Sequence, residues 1–188
     1  KELPRDVKPG DTLLLNDGLI VLVVKDVKGD QVLTTVKVGG VLSNNKGINK
    51  QGGGLTAPAL TAKDMDDIKT AMACRCDYLA VSFPKGATDM EMARQLANVA
   101  GEPYKHKTAL IAKIERSEAI PQLENILKAS DGIMVARGDL AVEVGAATVP
   151  ALQKRMIKLA REMDKITITA TQMMESMINA PVPTRAEV

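Results

Sequence analysis

Aromatic side chains are scarce in this chain: two Tyr, one Phe and no Trp amount to 2% of its residues. Any core must therefore be aliphatic, built from Val, Ile, Leu, Ala and ten Met. Stacking of single-stranded nucleic acid bases needs exposed rings, so the shortage argues against that function. Dense runs of Lys or Arg are also missing, and the formal net charge is only +2, which excludes a basic nucleic-acid face. No apolar run approaches the roughly 20 residues that cross a bilayer. The opening Lys1-Glu2-Leu3-Pro4-Arg5-Asp6 is charged and broken by proline, so it does not read as a signal peptide. The expectation is a cytoplasmic protein with neither a nucleic-acid nor a membrane partner.

Cysteine is nearly as rare. Cys74 and Cys76 form a C-x-C pair at a predicted helix end, and the single histidine, His106, lies far along the chain between Lys105 and Lys107. A structural zinc site takes about four ligands, and no second cluster is present. The pair reads as two reduced thiols in a cytosolic protein, and His106 as an exposed side chain.

What is present is an ordinary globular composition over 188 residues, 45% hydrophobic and 26% charged. Residues 12–15 and 19–24 read as strands around an Asn16-Asp17-Gly18 turn. Lys28-Gly29-Asp30 marks a second turn, and residues 32–38 alternate, with Val32, Thr34, Val36 and Val38 on one side. Residues 43–54 are rich in Gly and Asn and read as a linker, which sets a domain boundary: 1–54, then 55–188.

From Thr61 the texture changes. Thr61 followed by Asp64 is a capping-box variant, with Ile68, Met72 and Ala73 as the apolar stripe of the helix it opens. Short apolar runs without alternation at 78–83, 109–114, 132–136 and 166–170 suit strands buried on both faces. Helical patterns at 89–100, 121–128, 149–163 and 172–178 separate or follow them. The methionines fall mostly at helical spacing and read as core filler. Such alternation implies right-handed crossovers and a parallel sheet, either doubly wound or part of a (β/α)8 barrel. A closed barrel takes about 250 residues, more than this chain supplies.

In a (β/α)8 barrel the chemistry gathers at the C-terminal ends of the strands. The runs here end in Ser82-Phe83-Pro84-Lys85, Lys113-Ile114-Glu115, Arg137-Gly138-Asp139 and Thr169-Ala170-Thr171-Gln172. Lys113 and Glu115 lie two apart in an extended segment, so they share a face. A surface ion pair is the plain reading. The next strand also ends in an acid, Asp139, and two carboxylates on adjacent strand ends suit Mg²⁺ or Mn²⁺. The lysine then serves an anionic substrate or a developing oxyanion. A helix starting near Asp139 would add free N–H groups for an anion. Thr171 on its own reads as a helix cap.

These blocks resemble the pyruvate kinase family. Ile111-Ala112-Lys113-Ile114-Glu115 is similar to its I-x-K-I-E signature. The resemblance continues through residues 129–140, Thr169-Ala170-Thr171-Gln172-Met173-Met174-Glu175-Ser176-Met177 and Pro183-Thr184-Arg185-Ala186-Glu187. Asn16-Asp17-Gly18 and Asn45-Lys46-Gly47-Ile48-Asn49 resemble parts of its lid domain. The fold class implied is α/β: a partial (β/α)8 TIM barrel of about four β/α units with a partial small β-barrel lid domain.

The resemblance also implies a reaction. Phosphoenolpyruvate passes its phosphoryl group to ADP, giving pyruvate and ATP in glycolysis, with Mg²⁺ or Mn²⁺ and often K⁺. By the same resemblance Lys113 is the catalytic group that stabilises the transferring phosphoryl group and the enolate. Glu115 and Asp139 are the metal ligands. Gly138 and Asp139 offer N–H groups to the substrate carboxylate, and Thr171 contacts the substrate near its reacting carbon. The family is commonly a homotetramer.

The departures are expectations as well. The strands that carry the family's phosphate-gripping arginine and K⁺ ligands fall outside this stretch, so the chain alone is expected to be inactive. Asn16 stands where Asp is common, and Ala141 where Gly is usual. Two other readings compete: a non-catalytic metal-binding fragment, and a different Mg²⁺-dependent barrel enzyme, an aldolase or lyase, that acts through an enolate.

Overall fold

Two four-stranded sheets divide the strands by pairing mode. The computed structural model describes residues 2–44, 46–171 and 173–187. A short helix α1 (Leu3–Asp6) precedes the first sheet, which contains β1 (Thr12–Leu15), β2 (Ile20–Lys28), β3 (Gln31–Val38) and β4 (Ile48–Lys50). Its order is β3-β2-β1-β4, antiparallel throughout. The β1–β2 turn places Asn16, Asp17 and Gly18 at φ of 50°, 57° and 86°, a left-handed run that those residue types tolerate best. Val7, Leu13 and Val24 form the small core of this sheet.

The sequence reading needs three corrections here. β2 does not stop at 24 but runs to Lys28, because its pairing with β3 resumes beyond an irregularity between Val24 and Asp26. The 43–54 linker holds β4, which pairs with β1 through Leu14 and Asn49; three residues are too few to show alternation. Val36 and Val38 are exposed, so only the first half of β3 has a covered side. Asn45, which falls in the lid-like block, lies outside the described residues.

The second sheet is parallel, in the order β5-β6-β7-β8: β5 (Tyr78–Val81), β6 (Ala109–Ile114), β7 (Gly132–Ala136) and β8 (Ile166–Ala170). With it come α2 (Ala62–Ala73), α3 (Ala87–Gly101), α4 (Leu123–Ala129), α5 (Arg137–Val144) and α6 (Val149–Glu162). Thr61 and Asp64 form the reciprocal capping box that opens α2. Leu110, Ala112 and Ile114 of β6, with Ile133 and Val135 of β7, pack against Met90, Ile126, Leu127 and Met156 in one aliphatic core.

The opposite face of this sheet is partly open. Tyr78, Ile166 and Ile168 are 57%, 43% and 37% exposed. The inner strands β6 and β7 are buried on both faces along most of their length, as the apolar runs suggested, but the outer strands β5 and β8 are not; the runs report capacity for burial, not what covers them. Ala73 is likewise exposed, and the stripe of α2 is Ile68 and Met72. Met92, Met173, Met174 and Met177 are exposed, so methionine is core filler only at positions such as Met72, Met90 and Met156.

Three helix readings shift, the first being α3, which begins at Ala87 rather than 89. A 3-10 turn (Ser117–Ala119) precedes α4, which begins at Leu123 rather than 121. In place of a helix at 172–178 there is a 3-10 turn, Glu175–Ile178; Gln172 lies outside the described residues.

The segment between the sheets is tied to α5 and to the turn that follows β6. Gly52 N–H donates to the Glu143 carbonyl at 3.3 Å and Gly54 N–H to Glu118 Oε1 at 2.7 Å. A Cβ on Gly53, at φ +80°, would stand 2.3 Å from Ser117 Oγ, so this close approach requires glycine.

Candidate active site

Side chains on β6 alternate. Leu110, Ala112 and Ile114 enter the core under the helices, so Lys113 points to the other face, and Glu115, the first residue past the strand, follows it. Lys113 Nζ lies 2.8 Å from Glu115 Oε1 and donates to Ser82 Oγ at 2.9 Å. Ser82 reaches it because β5 and β6 are in register, Val81 beside Ala112.

The Glu115 side chain is only 1% exposed, so this is no solvated rim pair. Phe83 N–H donates to Glu115 Oε2 at 2.7 Å. Burial pushes the proton affinity of Glu115 above that of an ordinary carboxyl, the Lys113 and Phe83 donors pull it back, and the charge of Asp139 adds to the rise. Asp139 is therefore within electrostatic reach of Glu115.

Asp139 stands in the first turn of α5, which follows β7 without a loop: Ala136 is its cap and Arg137 its first residue. The N–H groups of such a first turn have no partner within the helix and carry the positive end of its dipole. Gly138 lies in this turn against Thr171. A Cβ there would stand 2.8 Å from Thr171 Cγ2.

Thr171, just after β8, has φ +79°, an outlier for a β-branched residue. Arg137 holds it there, donating from Nε to the Ala170 carbonyl at 3.2 Å and from Nη2 to the Thr171 carbonyl. Thr171 does not cap the next turn, whose N-cap position is Met174. Gly138 and Thr171 line a cavity of about 630 Å³ shared with Asp17, Gly18 and Arg137, so the β1–β2 turn overhangs this end of the sheet.

The residues present fit a divalent cation. Glu115 and Asp139 are hard oxygen donors whose charges oppose each other, and each oxygen of Glu115 keeps a lone pair beyond the donor already on it. No group of three or more His, Cys, Asp or Glu side chains suited to a metal occurs among the described residues. Two carboxylates are what Mg²⁺ typically takes from a protein.

The family model described as pyruvate kinase, barrel domain, matches residues 1–188. This chain belongs to the pyruvate kinase family. It is 54% identical over 191 residues to the pyruvate kinase of Buchnera aphidicola subsp. Acyrthosiphon pisum, covering 100% of this chain and 39% of that one. It is 55% identical to pyruvate kinase II of Salmonella typhimurium and 53% identical to the pyruvate kinase of Haemophilus influenzae, with the same coverage. The chain thus spans 39% of the length of these relatives.

Three site contacts escaped the sequence reading. Ser82 and the Phe83 N–H were visible only as the end of an apolar run, where polar groups gather. Arg116, buried with its guanidinium carbon 5.6 Å from the centroid of the Phe83 ring, carries no pattern signal at all. His106 is half-buried rather than exposed, its Nε2 2.8 Å from the Cys76 carbonyl oxygen, and Cys74 and Cys76 are free thiols. No helix among the described residues is long and apolar enough to cross a membrane.

Proposed function

We propose that this chain is part of a pyruvate kinase that moves the phosphoryl group of phosphoenolpyruvate to ADP, giving pyruvate and ATP in the cytoplasm. The observation that carries the reading is the Lys113–Glu115 contact, with Asp139 and the first turn of α5 beside it. In this reading the parallel sheet is an arc of a (β/α)8 barrel, and residues 1–54 belong to a lid domain. The remaining strands come from the longer polypeptide, which assembles as a homotetramer. Family membership leaves no support for an aldolase or lyase.

Glu115 and Asp139 would hold Mg²⁺ or Mn²⁺, which when bound would neutralise charge on the phosphoryl oxygens. No residue of this chain is assigned to K⁺. Lys113, pinned by Glu115 and Ser82, presents its ammonium to the transferring phosphoryl group and then to the enolate oxygen. The P–O bond to the enolate breaks as a P–O bond to the ADP β-phosphate forms. Gly138 and Asp139 offer backbone N–H groups to the substrate carboxylate. Thr171 contacts the substrate near its reacting carbon. Phosphoryl transfer depends mainly on such positioning and charge neutralisation, which suits a site with one cation and two acids.

Mn²⁺ binding by EPR tests the reading, with Glu115→Gln and Asp139→Asn beside the unchanged protein. One site lost in both variants supports it; a site that survives both overturns the metal assignment. This chain alone forms no ATP, while the complete polypeptide does and loses that activity in Lys113→Met. ATP formation that survives Lys113→Met would refute the catalytic role.

A further inference from the structure

Phe83 is held in a conformation that its own chemistry disfavours. Its φ is +56°, rare for a bulky side chain, and Pro84 follows it, which disfavours helical backbone at the preceding residue. That backbone is what directs the Phe83 N–H at Glu115 Oε2, 2.7 Å away. Strain of this kind persists only where the surroundings over-determine it.

Arg116 supplies the restraint. It is buried, 8% exposed, and its guanidinium carbon sits 5.6 Å from the centroid of the Phe83 ring. Its Nη1 donates to the Leu55 carbonyl at 2.9 Å, in the segment that joins the two sheets. Its Nε–H is buried and finds no acceptor, so the guanidinium is placed by the ring, by Leu55 and by the charge of nearby Glu118 rather than by its best set of hydrogen bonds. Lys85 Nζ donates to the same carbonyl at 2.8 Å, which fixes that anchor from a second side.

We propose that Arg116 is a positioning residue for Glu115: clamped between the Leu55 carbonyl and the Phe83 ring, it holds the Phe83 N–H on the carboxylate and ties that carboxylate to the segment joining the two sheets. The proposal rests on the reading of Glu115 as a metal ligand. Arg116 touches neither substrate nor metal. Through the Phe83 N–H it fixes Oε2 of Glu115, while Lys113 holds Oε1.

The test is Mn²⁺ affinity and EPR line shape in the complete polypeptide, for the unchanged protein and for Glu115→Gln, Arg116→Met, Arg116→Lys and Phe83→Leu. Partners that orient a metal ligand typically change affinity by about 10-fold or more when removed. Arg116→Met and Phe83→Leu are each expected to weaken Mn²⁺ binding by about that factor and to broaden the spectrum. The Arg116→Met/Phe83→Leu double variant is expected to be no weaker than either single one, because both break one clamp. Arg116→Lys, which restores a cation over the ring, is expected to recover part of the affinity. Should Arg116→Met fail to fold, Phe83→Leu carries the same comparison. Unchanged Mn²⁺ affinity in Arg116→Met or Phe83→Leu, with binding lost in Glu115→Gln, overturns this inference alone. Binding that survives Glu115→Gln overturns the metal reading and this inference with it.

Discussion

Lys113 and Glu115 meet at 2.8 Å with the carboxylate side chain 1% exposed and the lysine 26% exposed. Burial of one partner makes the pair asymmetric: the carboxylate needs the ammonium more than the reverse. Removing one partner of a buried pair leaves an uncompensated charge and costs about 3 kcal/mol or more. Lys113→Met is therefore expected to lower the stability of the protein by about that amount in urea unfolding, and Lys113→Met/Glu115→Gln to recover most of it. A double variant no more stable than Lys113→Met would show that the ion pair does not offset the burial.

The Gly138–Thr171 contact separates activity from stability. A methyl group on Gly138 would press on Thr171 Cγ2, yet Ala is the better helix former in α5 by about 1 kcal/mol. Gly138→Ala in the complete polypeptide is expected to cut kcat/KM by up to about 100-fold, the scale of a 1 Å misplacement, without lowering the melting temperature. Full activity would mean that Thr171 does not need its present position.

Asp131 carries an acid-sensitive part of the parallel sheet. Burial would raise its pKa, but the Leu110 N–H at 2.7 Å and the Arg94 guanidinium at 2.6 Å, helped by the charge of Lys165, hold it below the ordinary 3.8. A depressed folded value means that the stabilisation is complete above 3.8 and is lost as pH falls from there through the folded value. Thermal melts from neutral pH to pH 3 are expected to fall more steeply for the unchanged protein than for Asp131→Asn. Parallel curves would remove Asp131 from the acid response.

The capping box at α2 gives a local test. Asp64 N–H donates to Thr61 Oγ1 at 3.3 Å, and Thr61 N–H to Asp64 Oδ2 at 2.7 Å. Thr61→Ala is expected to cost about 1 kcal/mol of stability, as caps of this kind do. No change in urea midpoint would mean that packing of Ile68 and Met72 alone holds the helix.

The second sheet was more legible in the sequence than the first. The bounds of β6, β7 and β8 follow from apolar runs flanked by charged or glycine-containing stretches, and Thr61 with Asp64 marks the start of α2. β4 was not legible, since a three-residue strand between glycines has no period to read. Nor was the open face bearing Tyr78, Ile166 and Ile168: an apolar strand looks the same whether one face is covered or two.

Sequence alone determines that Lys113 and Glu115 share a face, because a strand repeats every two residues and both belong to the same run. It also places an acid, Asp139, after the next strand. Tertiary structure decides the rest. Parallel register between β5 and β6 brings Ser82 to Lys113, and a left-handed Phe83 aims its N–H at Glu115. Direct passage of β7 into α5 sets Gly138 against Thr171. Each of these joins residues far apart in the chain. Such contacts are fixed by how the helices and strands pack together, and no local pattern carries that information.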